Sequence, residues 1–291
     1  MYIWSDCIPC ILKMAIGVAR NVLKTEEDNK HFMSRILELK SLRGEDWKMI
    51  SPMIISDIWL ILKEMSGKED PLKTVKEQQN LRAMKIYPSA KKTVQKSEAP
   101  FLQALKFSIA GNAMDAMVNS NKTGLRGLSM MLAQMPINME DVLMFRERLA
   151  KSDKVVYFTD NCGEVVFDRL FVETLNNEYH PQITFVTRRM PVLNDVTVEL
   201  AEAVGLGKLG RVIDNGIAVP FPGTLLKKVS PEVRQLVEDA DLLIAKGVGN
   251  YDSLTEETEL SGKISFLFHG KCQPCCIGRN VSENALIVYN A

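Results

Sequence analysis

The chain has 291 residues, 46% hydrophobic and 25% charged, enough to bury the core of one or two domains. Basic and acidic residues number 36 each, so the net charge is zero and nothing global draws the protein to nucleic acid or to a membrane surface. No uncharged apolar run approaches the roughly 18 residues of a spanning helix, and the apolar stretch near the start carries Asp6 without a basic leader, so the cytoplasm is the expected compartment.

Up to about residue 150 the pattern is helical. Apolar residues recur at three- and four-residue spacing over Ile8–Leu23, Lys30–Lys40, Met53–Met65, Ser89–Lys96 and Pro100–Asn119. Between the third and fourth of these, Lys68-Glu69-Asp70-Pro71 reads as a solvated loop. The last begins with a proline suited to a first helical turn and carries Phe101, Leu105 and Ile109 on one stripe. After Lys151 the grammar changes to short apolar runs: Val155–Thr159, Ile183–Thr187, Arg211–Asp214, Leu242–Ala245, Ile264–Phe268 and Leu286–Tyr289. Helical patterns at Val165–Asn176, Asp195–Val204 and Pro231–Ala240 separate several of them. Strands alternating with helices predict a largely parallel sheet with helices on both faces. The expected organisation is therefore a helical subdomain over residues 1–150 and an α/β core over 151–291.

Parallel strands put their carboxyl ends on one edge, where open α/β sheets bind ligands. Asp160 and Asn161 end the first strand, and a carboxylate beside an amide oxygen is a hard half-site for a divalent cation. Either residue serves equally well as a cap for the following helix. The loop after the second strand, Arg188 to Asp195, brings Asn194 and Asp195 to the same edge. Lys246, Gly247 and Asn250 follow the fourth strand, and His269, Gly270 and Lys271 close the fifth. Cysteine is the second signal. Cys7-x-x-Cys10 and Cys272-x-x-Cys275, with Cys276 adjacent, have the spacing of zinc or iron–sulfur ligand pairs, if the chain ends meet; otherwise they are buried thiols. Cys162 is rejected as a nucleophile, since acidic neighbours raise a thiol's pKa.

These residues resemble the domain-of-unknown-function 89 family, the metal-dependent damage-control phosphatases that include the acidic-residue methyltransferase 1-like proteins. The resemblance runs through Asp6-Cys7-Ile8-Pro9-Cys10, Ala110-Gly111-Asn112-Ala113-Met114-Asp115 and Asp160-Asn161-Cys162-Gly163-Glu164 to Asp168. It continues through Asn194-Asp195, Ala245 to Asp252 and Gly270-Lys271-Cys272; the cysteine-rich ends resemble the short prokaryotic subgroup. Asp252 departs from the pattern, which has glutamate there.

The resemblance implies a Rossmann-like core preceded by helices, and metal-assisted hydrolysis of small phosphorylated metabolites such as sugar phosphates. Asp160, Asn161 and Asp195 are then the ligands of one divalent ion, which oxygen chemistry allows to be Mg²⁺, Mn²⁺, Co²⁺ or Ni²⁺. Lys271 and Lys246 neutralise the phosphate, and Gly247 and Asn250 border it. Asn112 and Asp115, one turn apart, reach substrate hydroxyls or instead tether helices. Glu164 orients the attacking water or caps its own helix, with Asp168 supporting it. Rival readings are weaker. A nucleophilic-aspartate phosphatase needs a second acid where Cys162 stands, and a dinucleotide enzyme needs a glycine-rich turn after the first strand. A sulfonium-cofactor methyltransferase and a non-enzymatic cysteine-rich metal or redox module complete the alternatives.

Overall fold

In the computed structural model the residues described are 1–118, 132, 134–277, 279 and 281–291, with the backbone alone for 112–118. Helices α1 (Cys7–Val22), α2 (Glu26–Ile36), α3 (Ser51–Ser66), α4 (Lys73–Gln95), α5 (Pro100–Val118) and α6 (Met139–Ala150) precede the first strand. Then come β1 (Lys154–Phe158), α7 (Glu164–Leu175), β2 (Gln182–Thr187), α8 (Val198–Ala203), β3 (Arg211–Asp214) and α9 (Pro231–Asp239). The chain closes with β4 (Leu242–Lys246), α10 (Gly247–Leu254), β5 (Ile264–His269), α11 (Gln273–Ile277) and β6 (Leu286–Asn290).

The strands form one sheet in the order β3-β2-β1-β4-β5-β6. The first five are parallel and β6 returns antiparallel to β5. The chain runs outward from β1 to β3, then restarts beside β1 with β4. The gap between the carboxyl ends of β1 and β4 is thus the switch point at which such sheets form a crevice.

Alternate strand residues supply two cores. Val155, Tyr157, Phe185, Ile244 and Leu267 point to one face, where α4 to α7 pack. Val156, Phe158, Val186, Leu243 and Phe266 point to the other, against α9 and α10. A third cluster is built by α1, α2 and α3 around Phe32, Ile54 and Trp59, and it takes in Val192 from the loop after β2. The N-terminal helical part is therefore shared between two cores: its first three helices make their own, and its last three cover the sheet. No helix among the described residues is long and apolar enough to cross a membrane.

Beyond α6, which none of the expected helical spans covers, three elements depart from their expected spans for identifiable reasons. Helix α4 begins at Lys73, well before Ser89, because its buried face includes the polar Lys76 and Asn80 and Pro88 lies inside it. Lys76 is fully buried because Asp70 reaches it at 2.6 Å, so the loop expected to be merely solvated supplies a buried ion pair. Helix α8 starts at Val198 instead of Asp195, and α10 forms across Gly247 and Gly249, where no helix was expected.

Candidate active site at the sheet switch point

Two short backbone hydrogen bonds, which make Asn161 and Asp195 an antiparallel pair, draw the polar strand ends together. The Val196 amide donates to the Asp160 carbonyl at 2.9 Å, and the Cys162 amide to the Asn194 carbonyl at 2.8 Å. The end of β1 and the loop after β2 are thereby laced together, which places Asp160, Asn161 and Asp195 side by side. Helix α7 is headed by Gly163, not by either of the preceding polar residues, so Asp160 and Asn161 are not its N-cap. Asp195 likewise lies before the Thr197 that heads α8.

Gly247 faces these carboxylates from the start of α10. Its φ is +77°, a left-handed conformation that glycine takes without strain, and a Cβ built there would lie 2.0 Å from Asp160 Oδ2. Only a residue without a side chain lets β4 turn into α10 so close to that carboxylate.

Charge is concentrated and mostly buried. Asp160, Glu164, Asp168, Asp195, Arg188 and Lys246 all lie out of solvent. Arg188 Nε donates to Asp195 Oδ2 at 2.7 Å, while its other terminal nitrogen stops 3.9 Å from Asp160 Oδ1. Lys246 uses all three ammonium protons: on Glu164 at 2.6 Å, on Asp168 at 2.6 Å and on the Ser108 carbonyl at 2.9 Å. Asp168 accepts a further bond from the Ser108 hydroxyl at 2.6 Å. Lys246 therefore buttresses two acids, and in this arrangement has no proton left for a phosphate. Asn250 is also committed: it donates to the Thr159 and Lys246 carbonyls and accepts from Arg188 and Thr224. It ties α10 to the end of β1. Asn112 and Asp115 lie on α5, and their side chains fall outside the described residues.

The electrostatics follow from burial. Asp160 is pushed well above the usual carboxylate range, first by desolvation and then by Glu164 and Asp195; Arg188 and Lys271 only partly oppose this. Burial likewise raises Asp195 against the pull of Arg188, and Glu164 against the pull of Lys246. For Lys246, burial pulls the ammonium down, but Asp168 and Glu164 outweigh it and hold the proton on. Lys271 is exposed, and its charge works to lower both Asp160 and Glu164 against their burial. Burial raises the Cys162 thiol strongly, and it packs against the Asp195 carbonyl, which leaves it no nucleophilic character.

Helix α5 reaches the site through Gly111, where a Cβ would approach Glu164 Cα to 2.8 Å. Asp252, by contrast, is not part of it. Its carboxylate accepts from the Ser51 hydroxyl and lines a separate cavity with Cys7, Cys10, Cys272 and Cys275.

The damage-control phosphatase ARMT1-like domain model matches residues 3–287. The chain belongs to that family. A damage-control phosphatase of Archaeoglobus fulgidus is 33% identical over 283 residues, spanning 95% of this chain and 96% of the relative. One from Pyrococcus horikoshii is 28% identical over 288 residues, covering 99% and 97%. An uncharacterised protein of Methanocaldococcus jannaschii is 28% identical over 292 residues, covering 97% and 94%. The crystal structure of a Pyrococcus horikoshii family member superposes with a TM-score of 0.85 at 25% identity, over 100% of this chain and 99% of that one. The fold is thus the family's fold, and the family is one of phosphatases, for which a divalent ion is the implied cofactor.

The donor set suits such an ion. Among the described residues no three His, Cys, Asp or Glu side chains form a ready-made cluster. Asp160, Asn161 and Asp195 offer instead two carboxylates and an amide. The Asn161 amide nitrogen donates to Asp160 Oδ2, so presenting its oxygen takes a half-turn about the last side-chain torsion.

Proposed function

We propose that the protein is a divalent-metal-dependent phosphatase acting on small phosphorylated metabolites, sugar phosphates or related phosphomonoesters, with water as nucleophile. One observation carries the reading. Four carboxylates, Asp160, Glu164, Asp168 and Asp195, are buried at the switch point against two cations, Arg188 and Lys246. Lys76, buried close by, is already paired with Asp70. With every group ionised the site is two negative charges in excess, a deficit that one divalent cation of the hard, oxygen-loving kind makes good.

Asp160, Asn161 and Asp195 would hold the ion, and when bound it would polarise a phosphoryl oxygen and acidify water in the open positions. The chain's own residues do the rest. Arg188, locked on Asp195 and Asn250, fixes the direction of the Asp195 carboxylate. Lys246 pins one oxygen of Glu164 and leaves the other to orient the attacking water and take its proton. Lys271, exposed, meets the phosphate oxygens as a point charge. Gly247 keeps the approach to Asp160 clear of side chain.

The test is metal-stripped protein supplied in turn with Mn²⁺, Co²⁺, Ni²⁺ or Mg²⁺ against a panel of phosphomonoesters. Activity should depend on the added ion, and Asp160→Ala or Asp195→Ala should abolish it. Full turnover without added ion, or in either variant, would overturn the assignment.

A further inference from the structure

The two cysteine pairs stand more than 260 positions apart in sequence, yet the fold brings them to one place. Cys7 and Cys10 open α1 and Cys272 and Cys275 sit on the turn into α11; all four line a single cavity of about 180 Å³, across which the two pairs face each other without yet closing into a ready-made cluster. Ile11, Met14, Ile55 and Pro274 make the remaining wall largely apolar. Within it Cys272 Sγ and Cys275 Sγ are 3.4 Å apart, and Cys7 Sγ accepts the Trp4 amide at 3.3 Å, the kind of backbone bond that supports a thiolate. A separate observation comes from α10. Asp252 borders the same cavity and is buried, with no hydrogen-bond partner on its Oδ1, while the Met1 ammonium, which donates to the Asp252 carbonyl at 2.5 Å, supplies a positive charge beside it.

We propose that this cavity is a thiolate-ligated metal centre, held by Cys7, Cys10, Cys272 and Cys275 and taking either zinc or an iron–sulfur cluster. Two pairs with two-residue spacers, converging from separate segments, are the usual ligand pattern for both. The centre joins two pieces of chain far apart in sequence, the start of α1 and the turn after β5. Lys271 is the residue immediately before Cys272, so the centre also fixes the backbone that carries this cation. It is structural, and it does not depend on the phosphatase reading.

The experiment is elemental analysis of the full chain purified without oxygen, with zinc, iron and acid-labile sulfide measured together. The expected result is about one zinc or one cluster per chain, retained in Asp160→Ala and lost in both Cys7→Ser/Cys10→Ser and Cys272→Ser/Cys275→Ser. Loss in both double variants is the signature of one shared site; full retention in either overturns the proposal. Sulfide with iron identifies the cluster, and zinc alone the mononuclear ion. If the double variants fail to fold, Co²⁺ added to metal-stripped wild type decides instead. A thiolate-to-cobalt charge-transfer band supports the centre, since oxygen ligands at Asp160 give none. No band, or disulfides at these cysteines in protein kept free of oxygen, sinks it.

Discussion

At the scale of single residues, the site separates groups left open to solvent from buried groups that hold others in place. Lys271 belongs to the first kind, being exposed and still felt by two buried acids. Loss of one such charge on a transferring phosphoryl group costs about 2–4 kcal/mol, roughly 30- to 1,000-fold in rate. Lys271→Met should lower turnover within that range and leave Mn²⁺ affinity unchanged; steady-state kinetics within threefold of wild type would show that another group holds the phosphate. The positions of Asp160, Asn161 and Asp195 were legible in the sequence because strand ends in a parallel sheet share an edge, whatever the side chains do. The division of labour was not. Lys246 reads as a phosphate ligand until its three partners are seen, and nothing in the spacing separates Arg188, 1% exposed, from its neighbour Arg189. Burial decides both cases, and burial is set by contacts far apart in sequence, such as Ser108 with Asp168.

At the scale of elements, helix α5 and helix α7 cross closely enough that Gly111 meets the backbone of Glu164. Adding a methyl group at a calculated 2.8 Å from Glu164 Cα forces the helices apart. Gly111→Ala should therefore destabilise the fold by about 1–3 kcal/mol, read as a lower urea midpoint, and misplace Glu164. An unchanged midpoint would mean that the crossing is looser than described. Helix α7 is also tied to α4. Glu173 accepts from the Tyr87 hydroxyl, from Lys91 at 2.6 Å and from Arg169 at 2.8 Å. Burial alone would raise this carboxylate, but those three bonds outweigh it and hold it below its ordinary value. A group lowered in the folded state stabilises above its unfolded pKa and loses that contribution as pH falls through the folded one. Wild type should thus exceed Glu173→Gln by about 1–2 kcal/mol near neutrality, and the gap should close as pH drops below about 4.3. A gap independent of pH would exclude the charge as its source. Element boundaries were readable where a side-chain cap or apolar stripe marks them, as at Ser230 before α9. Helix α6 was missed although Asn138 caps it and Val142, Phe145 and Leu149 form its buried stripe. Helix α10 was not readable, because its two glycines argue for a loop and the bonds made by Asn250 hold it in place.

At the scale of the whole molecule, the helical cluster of α1 to α3 rests on the loop that carries Asp195. Trp59, 1% exposed, donates its indole N–H to the Pro191 carbonyl at 2.9 Å. Trp59→Phe leaves that half-buried carbonyl without its indole partner, which should cost about 1–3 kcal/mol in chemical unfolding and speed proteolysis of the loop after β2. Equal stability and equal cleavage would detach the cluster from the site.

The order of the chain has a consequence for its synthesis. Helix α5 is buried on nearly every described side, with Phe101, Leu105, Phe107 and Ile109 all hidden, yet the strands it packs against come later. From its end at Val118 to the end of β6 at Asn290, the last strand it packs against, a ribosome adds roughly 170 residues, about 9–34 s at ordinary elongation rates. During that interval α1 to α3 can already have closed their own local core, while α5, with its buried apolar residues, waits without its sheet. A chain released between these two points would present that helix to whatever binds exposed apolar surface, so a premature stop anywhere in the sheet should give aggregated or chaperone-held product instead of a smaller folded one.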